Sequence, residues 1–437
     1  MNYFGTDGIR DKAQVILDKR IGFYIGKGIK LIKKNQKPVF IARDTRQSGE
    51  EIVDDIKKGL FESGIDVYDL GIFPTPVLAF FSLKKKTHGI MVTASHNPYD
   101  DNGIKVFENG KKIDKKHESI LEAIIDKENT VDKAENKGQM IEFKKPMDKY
   151  LKLYSGLLKN TNLKICLDLA NGAAVETAEK VFSKITDDLI IIANKPNGVN
   201  INEDCGSTNL NKLQEKVIEE MCDLGIAFDG DADRLLVVDN QGEVIDGDFI
   251  IYLFASYLKA HKKLKNKFVA LSKMCNIGIV QGLAEKGIDV IQTDVGDKFI
   301  SKAIEDNNGV LGGENSGHII NKRLFITGDG VLNAAFLIKV LSYYKLPLSN
   351  LKEQVTYYPG KLVNLRDIDK NLVNHHKVKD LVNKHLRRLG DDGKILVRAS
   401  GTESLIRISV SAPTEKQVDK IIKEIKNTIE DLEKDSE

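Results

Sequence analysis

Only four cysteines occur in 437 residues, Cys166, Cys205, Cys222 and Cys275, and none sits at a paired metal-binding spacing. They read as reduced thiols of a cytoplasmic protein. No charge of one sign prevails: 66 Lys and Arg stand against 64 Asp and Glu, a net of +2. That balance gives no basic footprint for nucleic acid or for an anionic membrane. No apolar run approaches the length of a membrane span. The first residues, Met1-Asn-Tyr-Phe-Gly-Thr-Asp7, lack a basic segment followed by an apolar core, so no signal peptide is expected there. No short-period repeat or low-complexity tract is present.

A hydrophobic content of 41% with 30% charged residues is that of a soluble globular protein. The length exceeds one core and calls for about three or four domains. Strand and helix patterns alternate over most of the chain, which predicts α/β architecture with largely parallel sheets. Residues 38–43 read as a strand, and Ser48 with Glu51 as a capping box opening a helix that runs to about Ser63. Residues 66–70 and 89–92 read as strands around a helix at 77–83. A charged stretch over 111–145 precedes a boundary near Pro146. A second unit starts at the strand 163–167, ends a strand at Asp229, and adds a hairpin around Asn240-Gln-Gly242. A third repeats the plan from about Asp248 and carries a glycine-rich loop at 312–317. The last has a helix near 373–389, strands at 395–398 and 405–410, and a charged helix from Thr414. The expected fold is three similar α/β domains plus a smaller α+β domain, over 1–150, 151–246, 247–357 and 358–437.

The most informative stretch is Asp229-Gly-Asp-Ala-Asp-Arg234, directly after an apolar strand. Three carboxylates gather where a buried strand ends, which is where α/β proteins bind ligands. Such crowding is costly unless a cation neutralises it. Oxygen donors without His or Cys suit a hard ion such as Mg²⁺. An EF-hand loop is excluded, because its required Gly and Glu positions hold Arg234 and Asn240. The bland alternative is a solvated acidic turn.

Thr93-Ala-Ser-His-Asn-Pro98 also follows a strand, and Pro98 keeps Asn97 out of the helix, placing Ser95 on a turn beside His96. It lacks the flanking glycines of a hydrolase nucleophile elbow. Arg398-Ala-Ser-Gly-Thr402 lies between two strands and offers a guanidinium, two hydroxyls and backbone amides, a cradle for a dianion. Gly312-Gly-Glu-Asn-Ser-Gly-His318 presents a carboxylate, a hydroxyl and an imidazole, and is neither a Walker loop nor a dinucleotide fingerprint. Phe4-Gly-Thr-Asp-Gly-Ile-Arg10 and Arg43-Asp-Thr-Arg46 read as turns. Lys105 alone reads as a solvated lysine.

Together these motifs resemble the α-D-phosphohexomutase superfamily from end to end: a phosphoserine loop (93–98), a metal loop (229–234), a sugar loop (313–318) and a phosphate loop (398–402), in the family's order. Tyr3 to Arg10, Asp168 to Ala174, Asn197 to Thr208 and Val295 to Lys298 resemble the bacterial phosphoglucosamine mutase branch. Departures from that branch are Asn315 for Gln, Lys298 for Arg, Asn209 for His and Ser404 for Pro.

The resemblance implies four domains around a central cleft and a cytoplasmic isomerase. Glucosamine 6-phosphate and glucosamine 1-phosphate would interconvert through glucosamine 1,6-bisphosphate, feeding UDP-N-acetylglucosamine and peptidoglycan precursors. It implies that Ser95 carries the phosphoryl group and that one Mg²⁺ sits on Asp229, Asp231, Asp233 and a phosphoserine oxygen. Either glucosamine- or glucose-1,6-bisphosphate would serve as activator. Glu314 and Ser316 would bind sugar hydroxyls, and Arg398, Ser400, Gly401, Thr402 and Arg234 would bind substrate. Lys105 with Arg10 are the first candidates for moving the hydroxyl proton, and His96 and His318 the second. The partner is a small phosphosugar, with no nucleic acid or membrane, for a monomer or homodimer. The alternative is a phosphoglucomutase or phosphomannomutase of the same mechanism.

Overall fold

The computed structural model describes residues 3–127, 130–399 and 405–434. Its first sheet comprises β1 (Phe4–Gly5), β2 (Gly8–Lys12), β3 (Val39–Arg43), β4 (Val67–Ile72), β5 (His88–Val92), β6 (Asp101–Glu108) and β7 (Lys111–Lys112). The order is β4-β3-β5-β6-β2-β1, with β7 on β6. β3 is parallel to β4 and β5, whereas β6 is antiparallel to β5 and β2. The second sheet comprises β8 (Ile165–Asp168), β9 (Leu189–Ile192), β10 (Leu224–Phe228), β11 (Leu235–Asp239) and β12 (Val244–Ile245), in the order β9-β8-β10-β11-β12. Here β8 is parallel to β9 and β10, and β11 is antiparallel to β10. The third comprises β13 (Phe268–Ser272), β14 (Asp289–Thr293), β15 (Leu311–Gly313) and β16 (Ile319–Asn321), in the order β14-β13-β15-β16. Its β15 is parallel to β13 and antiparallel to β16.

One arrangement therefore recurs three times: second strand, first, third, and an antiparallel fourth. The sheets are mixed rather than largely parallel. A parallel neighbour needs a crossover of a dozen residues or more, and the third strand of each sheet is followed by a return too short for one. Those returns are the segments 93–100, 229–234 and 314–318. Each carries one of the motifs picked out from sequence. β5 and β10 are buried at every position, as their near-continuous apolar sequences require of strands covered on both faces.

A fourth sheet, β17 (Gly360–Arg366), β18 (Lys394–Ala399) and β19 (Leu405–Ser411), is antiparallel throughout, in the order β17-β19-β18. Helices His376–Leu389 and Glu415–Lys434 accompany it, around a core that includes Leu365, Ile406, Ile408, Ile425 and Ile429. Two compact units result, Met1–Lys273 with Ile291–Lys352, and Met274–Val290 with Glu353–Glu437. The helix Ile277–Glu285 falls in the second unit.

Several local expectations differ from the structure. The helix Gly49–Glu62 forms, but the Ser48 side chain does not cap it; its hydroxyl instead accepts a 2.9 Å hydrogen bond from Asn102 Nδ2. The glycine-rich segment at 312–317 is not a flexible loop: most of it is the buried hairpin β15–β16. β1, β2, β6 and β17 lay in segments whose sequences gave no strand pattern. No described helix is long and apolar enough to cross a membrane.

Candidate active site

The three return loops meet within the first unit. Ser95 is buried and left-handed (φ 54°), a conformation that side-chain-bearing residues seldom adopt. Its Oγ donates to Asp229 Oδ2 at 2.6 Å and lies 3.3 Å from His96 Nδ1. The backbone is held from both sides. Ser95 N–H donates to Thr93 Oγ1, which in turn donates to Asp44 Oδ2. The Ser95 carbonyl accepts from Arg46 Nη2 at 3.1 Å and from Asn202 Nδ2 at 2.9 Å, and both donors also reach Asn97 O. Arg46 is fully buried, pairs with Asp44 at 3.0 Å and bonds the carbonyls of Pro98 and Asp101 as well. A planar guanidinium fork can serve several acceptors at once, which an ammonium cannot do in the same geometry. Gly230 admits this loop, since a Cβ there would lie 2.5 Å from Ser95 O.

Asp229, Asp231 and Asp233 are buried, and each offers one oxygen within 4.8 Å of the others. Asp229 Oδ1 accepts from Arg234 N–H, and the Arg234 guanidinium lies 4.0 Å from Oδ2. Asp231 Oδ2 accepts from Lys105 Nζ at 2.7 Å and from Thr75 Oγ1, but its Oδ1 has no protein partner although buried. Burial, then the neighbouring Asp233 and Asp231, push the Asp229 carboxyl up to about 8. Both observations mark a carboxylate cluster short of positive charge. The donor set is all oxygen, so the residues present fit a hard dication.

Lys105 is not solvated. It lies on β6, 1% exposed, between Asp231, Asp233 and Asp7 at 2.7, 3.1 and 3.1 Å. Burial opposes its charge, but the three carboxylates hold its pKa well above the usual lysine range. Asp7 also pairs with Arg10 and Lys112, and Lys112 reaches Asp297 at 2.5 Å. Burial would raise Asp233, yet Lys105 and His318 bring it well below the ordinary carboxylate range. His318 Nδ1 lies 3.5 Å from Asp233, and Nε2 lies 3.8 Å from Asp297. Burial works against protonation there, but Asp233 and Asp297 raise His318 to about 9. His96 is the opposite case: burial, then Arg234 and Arg10, push it down to about 3, and its ring is neutral.

The hairpin of β15 and β16 is fastened to the aspartate loop. Leu235 N–H donates to Gly317 O at 3.0 Å, and Arg234 and His318 form a backbone bridge. Gly317 takes a positive φ, and a Cβ there would sit 2.3 Å from Leu235 O. Glu314 Oε1 accepts from Gly296 N–H at 2.9 Å, while Asn315 is exposed and Ser316 half-buried.

Among the residues singled out from sequence, Arg10, Ser95, His96, Lys105, Asp229, Asp231, Asp233, Arg234, Glu314, Ser316 and His318 all belong to this unit. Arg398 lies next to the end of β18 in the other unit, in register with Arg407 on β19. Ser400, Gly401 and Thr402 lie outside the described residues. Sequence reading missed Asp7, Asp44, Arg46, Thr75, Lys112, Asn202 and Asp297 as parts of the site. Asp44 and Arg46 were visible as a charged turn after a strand, and Asn202 within the segment 197–208. Thr75 and Lys112 left no such signal.

Family models for phosphoglucomutase/phosphomannomutase match in series: alpha/beta/alpha domain I over 1–132, domain II over 147–242, domain III over 246–358 and the C-terminal domain over 361–428. The phosphoglucosamine mutase of Shouchella clausii is 39% identical over 443 residues, covering 99% of this chain and 98% of its own length. That of Streptococcus uberis is also 39% identical, covering 98% of both. A phosphoglucomutase/phosphomannomutase family protein from Burkholderia thailandensis has the same fold, with a TM-score of 0.81 at 24% identity over 98% of this chain and 96% of that one. Aspergillus fumigatus N-acetylphosphoglucosamine mutase, solved with GlcNAc-6P and magnesium, superposes with a TM-score of 0.71 at 16% identity over 99% and 96% of the two chains. Four matched segments in order, with relatives aligned over nearly the whole length, show that this chain belongs to the phosphoglucomutase/phosphomannomutase family.

Proposed function

We propose that this chain interconverts glucosamine 6-phosphate and glucosamine 1-phosphate, with Ser95 as the phosphoryl carrier. The observation that carries the proposal is Ser95 itself. Its hydroxyl sits on a left-handed turn and donates to Asp229 of a buried aspartate cluster. The relatives named phosphoglucosamine mutase support the amino sugar over glucose or mannose phosphates.

In the forward half-reaction the Ser95 Oγ–P bond breaks and a bond from phosphorus to the anomeric oxygen forms. The hydroxyl's proton passes, in net, to Ser95 Oγ. Glucosamine 1,6-bisphosphate results, and after it turns over, its 6-phosphoryl group returns to Ser95. Phosphoryl transfer asks mainly for positioning and charge stabilisation. Arg46 and Asn202 position the serine backbone. Lys105 brings positive charge to the aspartates and, with Arg10, is proposed to handle the substrate's proton. His96 Nδ1 stands 3.3 Å from the serine oxygen and is the second candidate for relaying that proton. His318, charged, is proposed to polarise a substrate oxygen. Glu314 and Ser316 would hold sugar hydroxyls, Arg234 the transferring phosphoryl group, and Arg398, Ser400, Gly401 and Thr402 the other phosphate. Asp229, Asp231, Asp233 and an oxygen of phosphorylated Ser95 would hold one Mg²⁺, which supplies charge neutralisation when bound. The segments 1–150, 151–246, 247–357 and 358–437 are proposed as domains of a cytoplasmic monomer or homodimer, primed by a hexose 1,6-bisphosphate.

The test is a comparison of kcat/KM for glucosamine, glucose and mannose phosphates on Ser95-phosphorylated protein with Mg²⁺. Preference for glucosamine phosphate supports the reading. Preference for either other sugar replaces it with phosphoglucomutase or phosphomannomutase activity, and directs attention to Asn315.

A further inference from the structure

Six side chains of the first unit close a ring in which carboxylates alternate with basic groups. From Asp233 the ring passes to Lys105 at 3.1 Å and from Lys105 to Asp7 at 3.1 Å. Asp7 pairs with Lys112, and Lys112 reaches Asp297 at 2.5 Å. His318 completes it, with Nε2 at 3.8 Å from Asp297 and Nδ1 at 3.5 Å from Asp233. The members come from all three recurrent sheets or the elements beside them: Asp7, Lys105 and Lys112 from the first, Asp233 from the second, Asp297 and His318 from the third.

Two members, Lys112 and Asp297, have no part in the phosphoryl-transfer chemistry proposed above. They occupy the far arc of the ring, and each touches a residue that itself touches a proposed catalytic or ligand-holding group. Lys112 fixes Asp7, which fixes Lys105 and Arg10. Asp297 faces His318. Neutralising either would leave its largely buried partners one opposite charge short, and such partners shift towards the charges that remain. Two buried donors around the ring, Arg10 Nε and His318 Nε2, have no hydrogen-bond partner within the protein. Natively buried donors are seldom left so, which suits a place that substrate oxygens fill.

We propose that Lys112 and Asp297 are positioning residues for the reaction, setting Lys105, Arg10 and His318 through the ring rather than by touching substrate. The proposal rests on the assignment of Lys105, Arg10 and His318 to the site. A competing explanation is that the Lys112–Asp297 pair only fastens the first sheet's hairpin to the helix Asp297–Asp306. The structure contains an internal control for that explanation. Lys111, next in sequence, pairs with Glu305 of the same helix at 2.5 Å but lies outside the ring and is half exposed.

The experiment uses the full chain with Mg²⁺ and measures kcat and KM for glucosamine 6-phosphate, with thermal unfolding in parallel. Wild-type turnover is established first, so inactivity of the wild type overturns the functional reading and is distinguishable from failure of this inference. Lys112→Met is expected to lower kcat by about 10²-fold, the scale of a small misplacement of catalytic groups. KM should change by less than about threefold, because binding energy common to ground and transition states is retained. Lys112→Arg should recover most of the rate, and Lys111→Met should keep the wild-type rate. Adding Asp297→Asn to Lys112→Met should cost little more, as residues acting as one unit are not additive. A Lys112→Met enzyme with wild-type kcat overturns the inference. So does one whose loss is matched by Lys111→Met, or one in which Asp297→Asn multiplies the loss in full.

Discussion

Ser95 Oγ lies 2.6 Å from Asp229 Oδ2, although 134 positions separate the two residues. The contact joins the return loop of the first sheet to that of the second. It places the hydroxyl proposed as phosphoryl carrier against a carboxylate proposed to hold a cation. The same contact explains why Gly230 follows Asp229: the serine loop passes too near for any side chain there.

Ser95→Ala is expected to lower turnover by at least about 10³-fold, because it removes the hydroxyl proposed to carry the phosphoryl group. Steady-state rates and phosphoprotein mass check this. A mutant with near wild-type rates, or one still phosphorylated at a single site, would place the carrier elsewhere.

Asp231→Asn is expected to weaken Mg²⁺ binding and turnover together. Its Oδ1 is the buried carboxylate oxygen of the cluster left without a protein partner. Calorimetric titration of the unphosphorylated protein with Mg²⁺ gives a readout independent of activity, and a thermal shift on adding Mg²⁺ gives a second. An unchanged titration in the mutant removes Asp231 from the ligand set.

Arg46→Ala should destabilise the first unit by about 3–5 kcal/mol, since it strands the buried Asp44 carboxylate and removes donors from the serine loop's carbonyls. Arg46→Lys should recover only part of this, because one ammonium cannot span the acceptors that the fork reaches. Urea unfolding measures the stability. A Lys variant as stable and active as wild type would show that charge alone is needed.

His88 is buried at the start of β5 with neither ring nitrogen hydrogen-bonded. Burial, with Lys33 and His117 nearby, pushes it down to about 4 from the reference value of 6.5. Between those values the unfolded chain binds a proton that the folded chain excludes. Stability is therefore lost as pH falls from about 6.5 towards 4, by up to about 3 kcal/mol at 1.36 kcal/mol per unit. Above pH 6.5 the residue contributes no slope. Urea unfolding across this range should show an acid limb shallower by one proton in His88→Leu. Identical limbs in the two proteins would dismiss His88 as the cause.

Much of this site could be read from the chain because its chemistry is local in sequence. The triplet Asp229, Asp231, Asp233 and the Ser95 turn each follow a strand whose apolar residues announce it, and the hairpin around Glu314 shows itself only by its glycines. Lys105 could not be read in that way. It looks like a surface lysine because the three carboxylates that make burial tolerable lie far along the chain, two of them 126 and 128 positions away. Arg46 and Asn202 escaped for a different reason. They act on backbone carbonyls, and carbonyls leave no mark in the sequence of the residues that bear them. The antiparallel fourth strand of the first sheet was hidden too, whereas that of the second was legible as the hairpin around Asn240-Gln-Gly242. β6 is buried at six of its eight positions, and Asn102, Gly103 and Lys105 break the apolar run that burial usually produces.

The threefold recurrence of strand order has a mechanical consequence. A loop that joins antiparallel neighbours starts and finishes about 5 Å apart. Its length and composition can change while both strands keep their register. Each sheet thus provides a socket of fixed geometry, and a different chemical head is mounted in each: a hydroxyl, a set of carboxylates, a hairpin bearing Glu314 and His318. Any one head can be altered while its own mount stays put, and points where heads touch, Ser95 with Asp229 and Arg234 with His318 among them, tie the three together.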